Sequence, residues 1–338
     1  MSADAAMAEI LREAEQAAYA LRPGEALKLT PVAGGANNRA WRVEAPSGIF
    51  LLKQYYHQPP PARDRFASER AFYQYAAARA PKFVPRAVAW DKSRRAALFE
   101  FVQGRKLKPT EVTDTRVDEA MDFFRALNNP APTAATELPD AAEACFQVAE
   151  HLALVEKRIQ RLLAPTANTA EDELAREARK FVATELQPAW RAIELQVLAR
   201  ARALDDTAPA RCVSPSDFGF HNTLLEKSGR LRFFDFEYAG WDDPAKTIGD
   251  FLCQPEIPAG LHRREAVTAA IAALFPQDEA LSERAKVLLP VYQIKWCCIL
   301  LNEFLPADQR RRAFALSAPT TAARRERQLA RARASLPV

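Results

Sequence analysis

Three polar residues in this 338-residue chain are spaced for chemistry on a phosphorylated ligand. Asp217 and Asn222 stand five residues apart in the stretch Ser214-Pro215-Ser216-Asp217-Phe218-Gly219-Phe220-His221-Asn222, and Asp235 follows the apolar run Leu231–Phe234. A carboxylate near a carboxamide, with a second carboxylate after a hairpin, offers a set of oxygen ligands. Such ligands suit Mg²⁺, a hard cation that keeps several waters and leans on substrate phosphates. The other carboxylate can then accept or orient the proton of an attacking hydroxyl, in a transfer where positioning and charge stabilisation dominate. Either acid alone reads just as well as a turn residue, since Asp and Asn hydrogen-bond their own backbone. The spacing of all three, and what lies upstream, favours a site.

Upstream, the apolar period shortens to that of strands. Leu27–Val32, Ala40–Glu44 and Gly48–Tyr55 read as strands, with Pro46-Ser47-Gly48 turning between the last two. Gly34 and Gly35, in the loop Ala33–Asn38, let backbone approach a phosphate with no Cβ in the way, and Asn38 adds a donor. Lys53 emerges from the apolar run Ile49–Leu52, well placed to reach phosphates; an edge lysine that discourages aggregation is the plainer reading. Glu69 lies sixteen residues on, in an expected helix Arg63–Arg79, positioned to pair with Lys53. Two further strands, within Phe83–Asp91 and Ala96–Val102, complete a five-stranded lobe that ends at Gly104.

On these residues the chain resembles the aminoglycoside phosphotransferase/choline kinase family. Asp217 and Asn222 match the family's catalytic loop, Asp235 its metal-binding acid, and Asp235-Phe236-Glu237-Tyr238-Ala239-Gly240 is similar to the choline/ethanolamine kinase branch. Pro215 stands where the family often has His, and Thr247 where it often has Asp. The resemblance spans about Leu29 to Phe251 and implies an α+β, two-lobed protein-kinase-like fold. Its small antiparallel N-lobe (residues 1–104, with a leading helix) would bind nucleotide, and its helical C-lobe (105–338) would carry the catalytic loop and acceptor site. It implies Asp217 as the catalytic residue and Asn222 and Asp235 as metal ligands. Gly34, Gly35, Asn38, Lys53 and Glu69 would then serve the nucleotide. The cofactors would be ATP and Mg²⁺, and the partner a small-molecule hydroxyl acceptor: an amino alcohol, a sugar or an aminoglycoside. A catalytically silent module that binds nucleotide or a metabolite is the second reading, prompted by Pro215 and the altered loop.

Composition narrows the field. The chain is 49% apolar and carries a net charge of +4, too small for a general nucleic-acid binder. Its basic excess gathers near the end, where Arg324, Arg325, Arg327, Arg331 and Arg333 read as a solvated helix face. The five cysteines show no metal-binding spacing and no disulfide framework. No apolar run is expected to approach the length of a membrane span. The N-terminus lacks a secretory pattern, so a cytoplasmic protein is expected. Asp114–Asn128, Ala141–Leu163, Thr169–Leu186 and Pro188–Leu204 read as helices, with Pro188 breaking or kinking the run. Asp243 before Pro244 reads as a helix cap, and Tyr292, Trp296, Asn302 and Glu303 as packing residues before a substrate surface.

Overall fold

The computed structural model describes residues 3–32, 38–57, 63–133, 136–164, 172–205, 209–305, 314 and 322–337. The chain forms two compact units. The first comprises Met1–Arg105, Leu224–Glu237 and Gln309–Pro319; the second comprises Lys106–Thr223, Tyr238–Asp308 and Thr320–Val338.

In the first unit, helix α1 (Ala3–Leu21) precedes strands β1 (Lys28–Pro31), β2 (Arg39–Ala45) and β3 (Gly48–Gln54). Helix α2 (Arg65–Arg79) and strands β4 (Ala87–Asp91) and β5 (Ala96–Glu100) follow. The sheet is antiparallel, in the order β1-β2-β3-β5-β4. Side chains alternate across it, as the pleat requires. Trp41, Val43, Phe50, Leu52 and Leu98 face the small residues Ala14, Ala17 and Ala18 of α1. Phe99 faces the other way and meets Tyr73 of α2. Lys53 alternates with Leu52, so it shares the α2 face, with Ala40 and Ala97 as its cross-strand neighbours. Helix α2 starts where the Asp64 side chain accepts from the Ala67 N–H. A smaller sheet joins β6 (Gly104–Arg105), β8 (Thr223–Glu226) and β9 (Leu231–Phe233) in the order β6-β8-β9.

The second unit is mainly helical. It contains α3 (Asp114–Asn128), α4 (Val148–Leu163), α5 (Glu173–Phe181) and α6 (Gln187–Asp205). Helices α7 (Pro244–Cys253), α8 (Arg264–Ala272), α9 (Leu281–Leu300) and α10 (Ala322–Ala334) follow. Strands β7 (Cys212–Ser214) and β10 (Gly240–Asp242) form an antiparallel pair. Helix α9 packs on α4, α6, α7 and α10. Gly249 makes the α7 contact possible, since a Cβ there would lie 2.4 Å from the Tyr292 ring.

Three sequence expectations need correction here. Helix α4 begins at Val148, not Ala141: the N–H groups of Ala141 and Ala142 donate to Trp241 and Tyr238 carbonyls, and Glu143 takes a positive φ of 57°. Pro188 does not break the helix. A π turn, Val182–Leu186, leads directly into α6 and absorbs the proline near the start of that helix. One segment, Leu281–Phe304, is long and apolar enough to cross a membrane by length and composition. It is a core helix of the second unit, and it buries Arg284 and Lys295.

Candidate active site

The candidate residues fall in both units, and each set has its own architecture. In the first unit, Lys53 Nζ donates to Glu69 Oε2 at 2.6 Å and to Asp235 Oδ1 at 2.5 Å. The second oxygen of Glu69 accepts the backbone N–H of Phe236 at 3.0 Å. Phe236 is wedged against Phe72 and Tyr73. Residues on a central strand, a helix and the loop after β9 are thus tied together. Burial alone would lower the Lys53 pKa, but Asp235 and Glu69 outweigh it and hold the ammonium charged above its ordinary range. Burial pushes Glu69 up to about 7; Lys53 opposes that, while Asp235 and Glu237 add to it.

Asp235 differs from its partners in exposure. Its side chain is 32% exposed, against 1% for Glu69. It also adopts a left-handed backbone, φ 67°, which a non-glycine residue occupies at a cost and which clusters at functional sites. Among the described residues, only its Oδ1 accepts a hydrogen bond.

Asn38 is committed to the protein. Its Nδ2 donates to Glu237 Oε2 at 2.8 Å, and its Oδ1 accepts the Tyr56 N–H at 3.1 Å. Glu237 is fully buried, with Arg65 3.6 Å away. Glu237 had no signal of its own in the sequence beyond its place in the Asp235–Gly240 run. Gly34 and Gly35 lie outside the described residues.

In the second unit, β7 is held on both edges. One edge pairs with β10, and on the other the Asn128 carboxamide bonds both the N–H and C=O of Val213, at 2.9 and 3.0 Å. The chain then turns through Ser216, φ 65°, into Asp217. Asn222 Nδ2 donates to the Asp217 backbone oxygen at 3.0 Å and to Oδ2 at 3.1 Å. His221 Nε2 lies 3.1 Å from Oδ1, and the His221 carbonyl accepts from Lys106. Burial disfavours the Asp217 carboxylate, yet His221, the Asn222 hydrogen bond and the nearby Lys295 outweigh it, so its pKa sits below the ordinary value. The His221 ring thus lies within hydrogen-bond distance of the candidate catalytic acid.

Two oxygen donors, one in each unit, are each of a type that suits Mg²⁺. Turning Nδ2 onto Asp217 leaves the Asn222 carbonyl oxygen without a hydrogen bond among the described residues. Asp235 keeps one carboxylate oxygen free in the same sense. Among the described residues no group of three or more His, Cys, Asp or Glu is arranged for a metal. A carboxylate oxygen and a carboxamide oxygen are each ligand types of an ion that draws its other ligands from water and phosphate.

Other sequence candidates have structural partners. Asp243 caps α7 by accepting from Ala245 N–H at 2.8 Å, and also binds Arg284. Tyr292 meets His151 at 2.5 Å, Trp296 donates to Asp250 at 3.1 Å, Asn302 accepts from Arg161, and Glu303 accepts from Arg324. The arginine-rich α10 docks on its own unit: Arg325 grips Asp172, Arg331 reaches the Pro255 carbonyl, and Arg333 pairs with Glu177. Burial pushes the Cys297 and Cys298 thiols up to about 12, so neither is an activated nucleophile.

An antiparallel sheet with a buried Lys–Glu pair, joined in one chain to a helical unit bearing an Asp–Asn loop, defines a protein-kinase-like phosphotransferase fold. The chain belongs to the phosphotransferase enzyme family APH, whose model matches residues 28–279. No curated protein sequence matches it. Among solved structures it is similar to a choline/ethanolamine kinase family protein from Mesorhizobium loti, at 16% identity and TM-score 0.57, covering 98% of this chain and 95% of that one. Choline kinase LicA from Streptococcus pneumoniae matches at 14% identity and TM-score 0.57, covering 98% of each chain. ADP-bound aminoglycoside phosphotransferase APH(2'')-Ib matches at 13% identity and TM-score 0.57, covering 96% of this chain and 97% of that one.

Proposed function

We propose that this protein is an ATP- and Mg²⁺-dependent kinase that transfers the γ-phosphate to a hydroxyl of a small molecule. The observation that carries the reading is the Lys53–Glu69–Asp235 triad, in which a lysine is held charged beside a partly exposed acid. Lys53 would engage the α/β-phosphates, with Glu69 fixing its ammonium. Gly34, Gly35 and Asn38 would cover the phosphates, Asn38 by anchoring the end of the loop on Glu237. Asn222 and Asp235 would hold Mg²⁺, which when bound offsets charge on the phosphates. Asp217 would accept a hydrogen bond from the acceptor hydroxyl and orient its oxygen for attack. Its lowered pKa keeps it ionised near neutral pH, and the proton can leave late.

In this reading residues 1–104 serve nucleotide binding and 105–338 supply the catalytic loop and acceptor site, in a cytoplasmic protein. Amino alcohols, sugars and aminoglycosides are the acceptor classes to screen. Two variants test the assignment. Calorimetric titration of ATP with and without Mg²⁺ should give Mg²⁺-dependent binding to the wild type, lost in Asp235→Ala. Asp217→Asn should keep that binding and lose turnover. Unchanged turnover in Asp217→Asn would remove Asp217 from the mechanism. Tight binding with no ADP release across a broad acceptor panel would favour the silent nucleotide-binding module.

A further inference from the structure

The catalytic loop of the second unit rests on a buried ladder of hydroxyl groups. Thr247, in the first turns of α7, donates from Oγ1 to Ser214 Oγ at 2.9 Å. Ser214, the last residue of β7, accepts on the same oxygen the backbone N–H of Ser216 at 3.0 Å. The Cys212 thiol lies 3.7 Å from Thr247 Oγ1 and completes the line. Thr247 and Ser214 are 1% and 0% exposed, so water does not compete for these bonds. The last rung falls on Ser216, the residue whose φ of 65° turns the chain into Asp217. A serine held in the left-handed region needs its surroundings to hold it there. The far end is rigid as well: Arg284 clamps Asp243, the α7 cap, at 2.8 and 3.0 Å and ties it to Asp278 at 2.6 Å.

We infer that Thr247 is a positioning residue for phosphoryl transfer: through Ser214 it fixes the Ser216 turn and so aims the Asp217 carboxylate. Thr247 touches no reacting atom; it acts only through the loop. The role rests on the kinase reading, whereas the ladder itself is independent of it.

The test compares wild type, Thr247→Val and Thr247→Ser. Valine keeps the shape and removes the donor; serine keeps the donor. Two readouts are taken: amide hydrogen exchange across residues 214–218, and MgATP hydrolysis with water as the acceptor. In Thr247→Val the Ser216 amide should exchange about tenfold faster and kcat should fall about tenfold, as loss of one buried hydrogen bond implies. KM for MgATP should stay within about twofold, because nothing in the nucleotide's own contacts changes. Thr247→Ser should restore both. Unchanged exchange at Ser216 in the valine variant, or failure of serine to restore it, overturns the ladder. A KM rise with kcat intact overturns the positioning role. A wild type that releases no ADP counts against the kinase reading alone, and the exchange data then still decide the ladder.

Discussion

Two lysine–carboxylate clusters in this molecule use the same residue types to opposite ends. In the first unit, Lys53 binds Glu69 and Asp235, and Asp235 remains one-third exposed. In the second unit, Lys246 binds Asp242 at 2.6 Å and Asp250 at 3.2 Å, while Lys295 binds both oxygens of Asp250 at 2.7 and 2.9 Å. Every member of that second cluster is at most 6% exposed, and Trp296 takes up the remaining approach to Asp250. Both clusters place charge in a low-dielectric interior, which is costly unless partners and hydrogen bonds are complete. The sealed cluster is closed off from solvent, and each of its charges has an opposite partner. The other leaves one acid with an oxygen that accepts no hydrogen bond among the described residues and with a left-handed backbone, features suited to binding rather than to stability.

The sharpest way to break this comparison is to remove one acid from the sealed cluster. Asp250→Ala leaves Lys295 buried without its carboxylate and Lys246 with Asp242 alone. Breaking a buried pair in this way costs about 3–5 kcal/mol. Urea unfolding should show a loss of that size, with any fall in nucleotide binding following from the unfolded fraction. A stable Asp250→Ala protein that had lost only its ligand affinity would reverse the assignment and make the sealed cluster the binding one.

This contrast also marks what the sequence could show. Lys53 and Glu69 were legible because a strand period and a helix period put them on facing elements, and their pairing follows from that geometry. Asp217, Asn222 and Asp235 stood out as candidates through their spacing. The sealed cluster was not. Asp242, Lys246 and Asp250 sit at helical spacing and look like an ordinary charged face, and nothing local announces that Lys295, 45 residues later, arrives to bury them. Glu237 and the Thr247–Ser214 contact were hidden for the same reason: their partners are 199 and 33 residues away. Pro188 misled because proline is read as a helix breaker, whereas a π turn just before it removes the clash. Elements set by local period were readable; buried polar contacts set by tertiary approach were not.

A smaller effect sharpens the open side of the comparison. Glu69 is raised from about 4.5 to about 7, so the folded protein binds this proton more tightly than the unfolded chain does. The sign follows: the stabilisation is fully present below the unfolded value and is lost as pH rises through 7. Glu69→Gln does not titrate and lacks that slope. The variant should therefore gain stability relative to wild type between pH 5 and pH 8, by something on the order of 1–3 kcal/mol. Denaturant titrations at the two pH values measure it. Its nucleotide affinity should meanwhile fall, because a neutral amide holds the Lys53 ammonium less firmly. An activity site that costs stability when ionised is the expected trade. Parallel pH profiles for the two proteins would show that the Lys53 ion pair fully offsets the burial of Glu69.

The smallest effect belongs to a third kind of charge pair, on the surface. Arg333 Nη1 lies 2.8 Å from Glu177 Oε1, but the two side chains are 40% and 46% exposed. Water screens such a pair, and ordering two long side chains offsets much of the attraction. Arg333→Ala should change stability by less than about 1 kcal/mol, and 0.5 M salt should erase even that difference. Thermal melts of the two proteins at low and high salt provide the check. The same variant tests what α10 is for. If its arginines serve to dock the helix on its own unit, losing one exposed pair leaves nucleotide binding and turnover as they were. If instead the helix presents charge to a polyanion, Arg333→Ala should weaken a salt-sensitive interaction with nucleic acid that the wild type displays. The partners already held by Arg324, Arg325, Arg331 and Arg333 favour the first outcome.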